Sequence, residues 1–345
     1  MMNPREIVLE QIRHHETNPI PYRILFEPDV EERITKYYGN DSWREKLVTY
    51  LVPCCKFKSR KEYPVIREEE PLEEGMMRDL FGSIWRTDVY PRHLERPALT
   101  SPSFDCFDFP KAGTFVEPGM KQNALKNLRE NPGVYSYIDL HFGLWEFSWG
   151  MRGYENALMD CVAEPDFYAE LLDRFTDMCL SRLDLCKDIP ADAFKFSDDW
   201  GAQHGVLIGP ERWRQFFKPR YARLYEKAHA QGKTVISHCC GSVADIMPDL
   251  IEIGLDVLES VQPEAKGMNP YELKKNWGDK ITFWGCLGSQ SVIPFGNPDE
   301  IRAEIAKLRR IMGKGGGYIL APAKRILSDT PIENAVAVIE AFTNG

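Results

Sequence analysis

KTVISHCCG, Lys233 to Gly241, is the stretch on which the fold turns. Lys233 to Ser237 is a short, apolar, β-branched run, and it ends abruptly in His238, Cys239, Cys240 and Gly241 before a helix that should begin near Val243. The same pattern recurs on both sides. Ala193 to Phe196 leads into SDDWG, Leu255 to Glu259 into SVQP, Ile281 to Trp284 into GCLG, and Gly317 to Leu320 into APAK. Helical segments lie between these runs; Ile301, Ile305, Leu308 and Met312 fall on one face of such a segment. Short strands alternating with amphipathic helices spell parallel βα units.

Upstream, YRILFE after Pro21, LVPCCKF from Leu51 and VYSYIDL from Val134 read as three further strands, which brings the number to that of a closed (β/α)8 TIM barrel. Met76 to Thr100 alternates around FGSIWRTDVYP and predicts a β-hairpin insertion, about residues 76–100, between the second and third strands. An open doubly wound sheet would be marked by GxGxxG after an early strand, and the sequence has none. The expectation is a single barrel domain over residues 1–345, hairpin included.

The composition suits an enzyme of that size. With 345 residues, 43% hydrophobic and 28% charged, the chain can bury a sizeable core. A net charge of −9 and a pI near 5.4 argue against nucleic acid or an anionic membrane as partner. The opening MMNPREIVLEQIRHHETNP scatters charges through its apolar stretch, unlike a signal peptide. No run approaches the ~18 apolar residues of a membrane span. Nine cysteines in so long a chain do not read as the disulfide framework of a small secreted domain. They read as cytoplasmic thiols, with Cys161, Cys179 and Cys186 on a helical stretch as packing residues.

Chemistry concentrates at the strand ends, where the catalytic groups of a TIM barrel gather. Side chains alternate along a strand, so His238 and Cys240 should project together and Cys239 oppositely. Imidazole and thiolate two residues apart suit Zn2+, which in a catalytic site takes three protein ligands and leaves a position open. Cys286, ending ITFWG, is the candidate third ligand. The plainer alternative makes the cysteines packing residues and His238 a hydrogen-bonding group. Asp198 and Asp199 offer paired carboxylates of which only one need enter the pocket, the other reading being a helix cap or turn carboxylate. HFGLWEFSWGMRGYEN, His141 to Asn156, carries Trp145, Glu146, Trp149 and Arg152; it fits an aromatic pocket wall and a buried amphipathic helix equally well. Lys324, next to Arg325 after the last strand, is placed to meet a substrate anion or to be a surface charge.

With these elements in order, the chain resembles the uroporphyrinogen decarboxylase superfamily, which also holds corrinoid-linked methyltransferases. The likeness rests on SDDWGAQHGVLIGPERWRQFFKPRY, SHCCGSVADIMPDLIEIGLDVLESVQPEAKGMNP, FWGCLGSQ and GGGYILAPAKRILSDTPIENAVAVIEAF, in that order and spacing. The resemblance implies a (β/α)8 barrel. Its decarboxylase branch is metal-free and grips eight carboxylates through an Arg-rich N-terminal motif, where this chain has YRILFEPD around Arg23. Its methyltransferase branch carries an HxCG strand end, matched here by His238, Cys240 and Gly241. That branch places another Cys on the last strand end, where this chain has Lys324, with Cys286 as the compensating ligand and Asp199 as a further one.

The function the resemblance implies is a zinc-dependent methyltransferase moving a methyl group between a small organic substrate and a corrinoid supplied by a partner protein. In it Zn2+ sits on His238, Cys240 and Cys286; Asp199, Glu146 and His238 are the catalytic groups; and Trp145, Trp149, Arg152, Asp198, Gln262 and Lys324 bind substrate. Uroporphyrinogen decarboxylation is the alternative, with a non-catalytic binding barrel behind it. Exposed outer helices would support a homodimer.

Overall fold

Parallel strands covered on both faces are apolar along their whole length rather than at alternate positions. The computed structural model, which describes residues 2–57, 72–89, 92–105 and 107–344, carries that pattern into a curled sheet. In chain order the strands are β1 (Leu51–Lys56), β2 (Met76–Arg78), β3 (Ile84–Arg86), β4 (His93–Arg96), β5 (Tyr135–Asp139), β6 (Ala193–Ser197), β7 (Thr234–His238), β8 (Val257–Val261), β9 (Thr282–Leu287) and β10 (Tyr318–Pro322). Strands β1, β5, β6, β7, β8, β9 and β10 form one seven-stranded sheet in that order, parallel at every pairing. Strands β5, β9 and β10 are buried at every residue. The curl is visible in contacts across its concave side. Tyr137 of β5 and Trp284 of β9 are far apart in strand order, yet their rings meet edge-on at 6.3 Å, and Lys195 of β6 reaches over β7 to Glu259 of β8 at 2.9 Å.

The first expected strand, YRILFE, does not form a full ladder. It makes isolated parallel bridges, Tyr22 to Leu320 on the outer edge of β10 and Phe26 to Ile326 beyond the end of that strand. The next donor in the ladder would be Pro322, which has no N–H to give, and β10 ends there, so pairing resumes only at Ile326. On its other side, side chains take over from backbone: the Tyr22 hydroxyl accepts the Val48 N–H at 2.8 Å, and the Arg23 guanidinium donates to the Tyr137 hydroxyl.

The insertion also differs from expectation. Instead of a two-stranded hairpin, residues 76–96 contribute a three-stranded antiparallel sheet in which β3 pairs with β2 on one side and β4 on the other. Asp79 folds the first turn, its Oδ1 accepting the Phe81 and Ser83 N–H groups and its Oδ2 the Trp85 indole N–H. The alternation around FGSIWRT therefore marks a central strand, not one arm of a hairpin.

Outside the curl, the helix Pro298–Met312 buries Ile301, Ile305, Leu308 and Met312, the face its spacing predicted, and Asn297 and Glu300 close its start as a capping box. The aromatic stretch after β5 is helical, Leu144–Arg152 then Tyr154–Ala163, and the first of these buries Trp145, Phe147, Met151 and Arg152. The helix expected near Val243 begins as a short 3-10 turn, Ala244–Ile246, before Met247–Glu252. Among the described residues, no helix is long and apolar enough to cross a membrane. Eight free cysteines are described, with Cys161, Cys179 and Cys186 buried; the ninth, Cys106, lies outside the described residues.

Candidate metal and substrate site

The register of the sheet builds the site. His238, Glu259 and Trp284 are successive partners across β7, β8 and β9, and all of them line a cavity of about 580 Å³ at the strand ends. Glu259 Oε2 meets His238 Nδ1 at 2.9 Å and Lys195 Nζ at 2.9 Å. This leaves His238 Nε2 directed to Cys240 Sγ, 3.3 Å away, and to Asp199 Oδ1 at 3.6 Å. The potential ligand atoms of Asp199, His238 and Cys240 all lie within 4.8 Å of one another. Zinc bonds of about 2.0–2.3 Å at tetrahedral angles separate ligand atoms by about 3.3–3.6 Å. The donor set of imidazole, thiol and carboxylate thus fits Zn2+ in chemistry and in spacing. A carboxylate on the far nitrogen of a ligating histidine, as Glu259 is here, fixes the ring and raises its basicity.

Two loops hold these groups together. Asp198 N–H donates to the His238 carbonyl at 3.0 Å, Asp199 Oδ1 accepts the Cys240 N–H at 2.8 Å, and Ala202 bridges to Ser242. Between them Gly201 and Gly241 lie backbone to backbone. A Cβ on Gly201 would come 2.5 Å from the Cys240 carbonyl oxygen, and Gly241 has a left-handed φ of +78°. Neither position has room for a side chain.

Charge in the cavity floor is shared. Burial opposes ionisation of Glu259, yet Lys195 and His238 outweigh it and hold the carboxyl well below its usual range. Burial likewise opposes the His238 imidazolium, but Glu259 and Cys240 raise its pKa well above the ordinary value. Lys195, buried as well, is kept charged by Glu259 and Asp139.

The adjacent acids of SDDWG have separate tasks. Asp199 belongs to the ligand cluster and has a side chain 45% exposed. Asp198 is 1% exposed and turns away from the cavity. Its oxygens accept the Trp145 and Glu146 N–H groups, each at 3.0 Å, the Trp200 indole N–H at 2.6 Å and the Tyr221 hydroxyl at 2.7 Å. It caps the helix Leu144–Arg152 from a distant loop, which is the capping reading rather than the substrate-binding one. Burial pushes its carboxyl up to about 7, against the pull of those donors.

Several other expected site residues are not brought to this cavity. Cys286 is 1% exposed and outside the ligand cluster. Strand alternation would set it on the face of Trp284, but Gly285 and Cys286 have φ of 125° and 75°, which breaks the alternation. Burial alone raises its thiol pKa far above the usual value. Trp145 is buried and packs edge-on against Tyr154 at 5.6 Å, while Trp149 lines a separate hollow with Tyr154 and Arg92. Arg152 is buried in a bidentate pair with Asp160 at 2.6 and 3.1 Å and also donates to the Leu99 carbonyl. Glu146 sits in the first turn of its helix. Gln262 is buried and steadies the Gly241 turn, its Oε1 accepting that N–H at 3.2 Å. Lys324 lines the cavity and is itself exposed.

Sequence reasoning passed over Lys195, Glu259, Arg23 and Trp284, all of which line the cavity. The signal was present: Lys195 sits between Phe194 and Phe196, and Glu259 inside VLESV. A lone charge in a strand buried on both faces survives only when paired inside the fold.

A family model for Uroporphyrinogen decarboxylase (URO-D) matches residues 145–344. The chain belongs to the uroporphyrinogen decarboxylase family. Within it, the chain stands closer to the methyltransferase-like members. It is 27% identical over 180 residues to Methylcobamide:CoM methyltransferase MtaA of Methanosarcina barkeri, covering 52% of this chain and 50% of that protein. To a uroporphyrinogen decarboxylase of Coxiella burnetii it is 23% identical over 184 residues, covering 52% and 48%. The chain thus spans about half the length of the curated relatives it matches. A solved methyltransferase from Methanosarcina mazei superposes with a TM-score of 0.72 over 100% of this chain and 99% of that chain, at 18% identity, a likeness of fold. The part matched by the family model contains Asp199, His238, Cys240, Glu259 and Lys324; Arg23 lies before it.

Proposed function

We propose that this member of the uroporphyrinogen decarboxylase family is a zinc-dependent methyltransferase that moves a methyl group between a small organic substrate and a corrinoid held by a partner protein. The observation that carries the reading is the convergence of Asp199, His238 and Cys240 at ligand spacing on the cavity, with Glu259 behind His238. Those residues, and not Cys286, would hold the metal. When bound, Zn2+ acts as a Lewis acid that lowers the pKa of a nucleophile or leaving group. Glu259 and Lys195 keep the His238 ring oriented, and the Trp284 face and the strand ends Ala321–Ala323 wall the substrate from bulk water. The same reading takes the fold as a closed (β/α)8 barrel in one domain, with residues 22–26 as the eighth stave beside β10. The free cysteines support a reducing compartment, the cytoplasm.

One observation favours the decarboxylase alternative. Arg23, Lys195, Lys324 and Arg325 all line the cavity, and uroporphyrinogen is rich in carboxylates. Glu259 and Glu27, however, face Lys195 and Arg325, which among the described residues leaves too few cations for eight carboxylates.

The deciding test is zinc content and corrinoid-dependent methyl transfer in the untagged protein and its variants. About one zinc per chain is expected, lost with turnover in Cys240→Ser and in Asp199→Ala, and kept in Cys286→Ser. Full activity in Cys240→Ser would overturn the reading.

A further inference from the structure

A second cavity, of about 640 Å³, lies between residues 16–20, the helix Pro298–Met312 and the helix Ile332–Thr343. It shares no lining residue with the cavity at the strand ends. Ile20, Ile305, Ala306 and Ala341 give it an apolar wall, and Arg302, Arg309 and Arg310 of the first helix line it too, with Glu16 and Glu340 as the acids of the lining.

These charges do not cancel. Arg302 is held by Glu340 at 2.9 Å and by Asp299 at 3.1 Å, and Glu16 accepts the Gly315 N–H at 2.9 Å. Arg309 and Arg310 have no carboxylate at ion-pair distance among the described residues. Arg309 is half-buried, and its Nη2 donates to the Phe342 carbonyl at 2.8 Å. Burial opposes its charge and lowers its pKa; the groups that counter this are the hydroxyls of Tyr22, Tyr318 and Tyr50. Burial raises the pKa of all three, so they stay neutral and supply no counter-ion. Basic residues in the last turn of a helix offset its dipole, and Arg309 and Arg310 stand there. An exposed side chain fills that role. It does not account for a half-buried guanidinium on a cavity wall, because a cation drawn out of water is stabilised only when it is paired.

The spare donors describe the guest. A guanidinium has five N–H donors, and the Phe342 carbonyl occupies one of those on Arg309. Two such forks on adjacent residues suit a single group with more than two acceptor oxygens and more than one negative charge, which describes phosphate better than carboxylate. The volume is in the range of small-molecule sites, so the apolar wall can take an organic part. We propose that this cavity binds a phosphate group, free or carried by a small organic molecule, between Arg309 and Arg310. The inference does not rest on the methyltransferase reading.

Calorimetric titration of the full chain with inorganic phosphate, adenosine monophosphate and adenosine, at fixed ionic strength, tests it in wild type, Arg310→Gln and Lys324→Ala. Phosphate should bind saturably and adenosine should not, and Arg310→Gln should weaken phosphate binding about tenfold or more. Lys324→Ala, in the other cavity, should leave it unchanged. Adenosine monophosphate binding tighter than phosphate, and competing with it, marks an organic phosphate as the guest; phosphate binding at least as tightly marks free phosphate. Arg310 is exposed, so Arg310→Gln should melt at the wild-type temperature without ligand, and phosphate should raise the melting temperature of wild type but not of the variant. Were the arginines there only for the helix dipole, Arg310→Gln would melt lower with and without phosphate and bind phosphate as wild type does. That result, no saturable binding at millimolar phosphate, or a loss of binding in Lys324→Ala instead would overturn the inference.

Discussion

Replacing Gly201 by alanine tests how the ligand cluster is held. The backbone at Gly201 is not left-handed, so alanine brings no torsional strain and the effect comes from one methyl group. That Cβ would stand 2.5 Å from the Cys240 carbonyl oxygen and 2.9 Å from the Gly241 carbonyl carbon and Ser242 nitrogen, all main-chain atoms unable to rotate away. Ordinary contact begins near 3.4 Å, so the SDDWG and HCCG loops must separate by about 0.9 Å. The Nε2 to Oδ1 spacing of 3.6 Å between His238 and Asp199 would then exceed 4 Å, where a ligand set tolerates about 0.2 Å per bond. Zinc affinity should fall by about 10–100-fold, and overpacking should lower stability by about 1–3 kcal/mol. Competition with a chromophoric chelator reads the first and thermal melting the second. Gly113→Ala, at a glycine with nothing within 4 Å, is the control. Wild-type zinc affinity in Gly201→Ala, alongside a lowered melting temperature, would refute the positioning argument and leave simple packing.

Glu259→Gln keeps the shape behind His238 and removes the charge; zinc affinity should weaken about 10–100-fold by the same competition assay, and an unchanged value would show that His238 needs no carboxylate. Asp160→Asn strands the Arg152 guanidinium in the core, where both side chains are about 5% exposed, and should destabilise by about 3–5 kcal/mol in chemical denaturation; less than 1 kcal/mol would mean that the Leu99 carbonyl or water suffices. The hydrogen bond from His229 to Asp256 raises the His229 pKa above its ordinary 6.5. Its contribution to stability is therefore full below pH 6.5 and is lost as pH climbs through the raised value. An NMR titration should place the His229 midpoint above 6.5 and bring it to 6.5 or below in Asp256→Asn, where only the lowering effect of burial remains; a wild-type midpoint at or below 6.5 contradicts the pairing.

Much of the fold was legible because the strands of a parallel sheet announce themselves as apolar runs ending in polar residues. The runs before SDDWG, HCCG, SVQP, GCLG and APAK all proved to be strands. YRILFE misled because composition reports a preference for extended backbone but not how many partners an edge will find. The aromatic stretch from His141 fitted two readings, and the helix won through a cap supplied by Asp198, more than 50 residues away in sequence. At the site, alternation brought His238 and Cys240 together correctly and failed at Cys286, where two positive φ angles undo the pleat. Lys195 and Glu259 could have been found from their isolation among apolar neighbours; that they pair with each other over β7 depends on the curl, which no local pattern encodes.

The anchoring of Asp198 has a thermodynamic consequence for its neighbour. A loop that becomes ordered only when its ligand arrives gives up conformational entropy at that moment, and binding is weaker for it. Here the side chain of Asp198, one residue before Asp199, is already tied to Trp145, Glu146, Trp200 and Tyr221. The entropy of that loop is surrendered when the chain folds, so the Asp199 carboxylate is preorganised for whatever it coordinates.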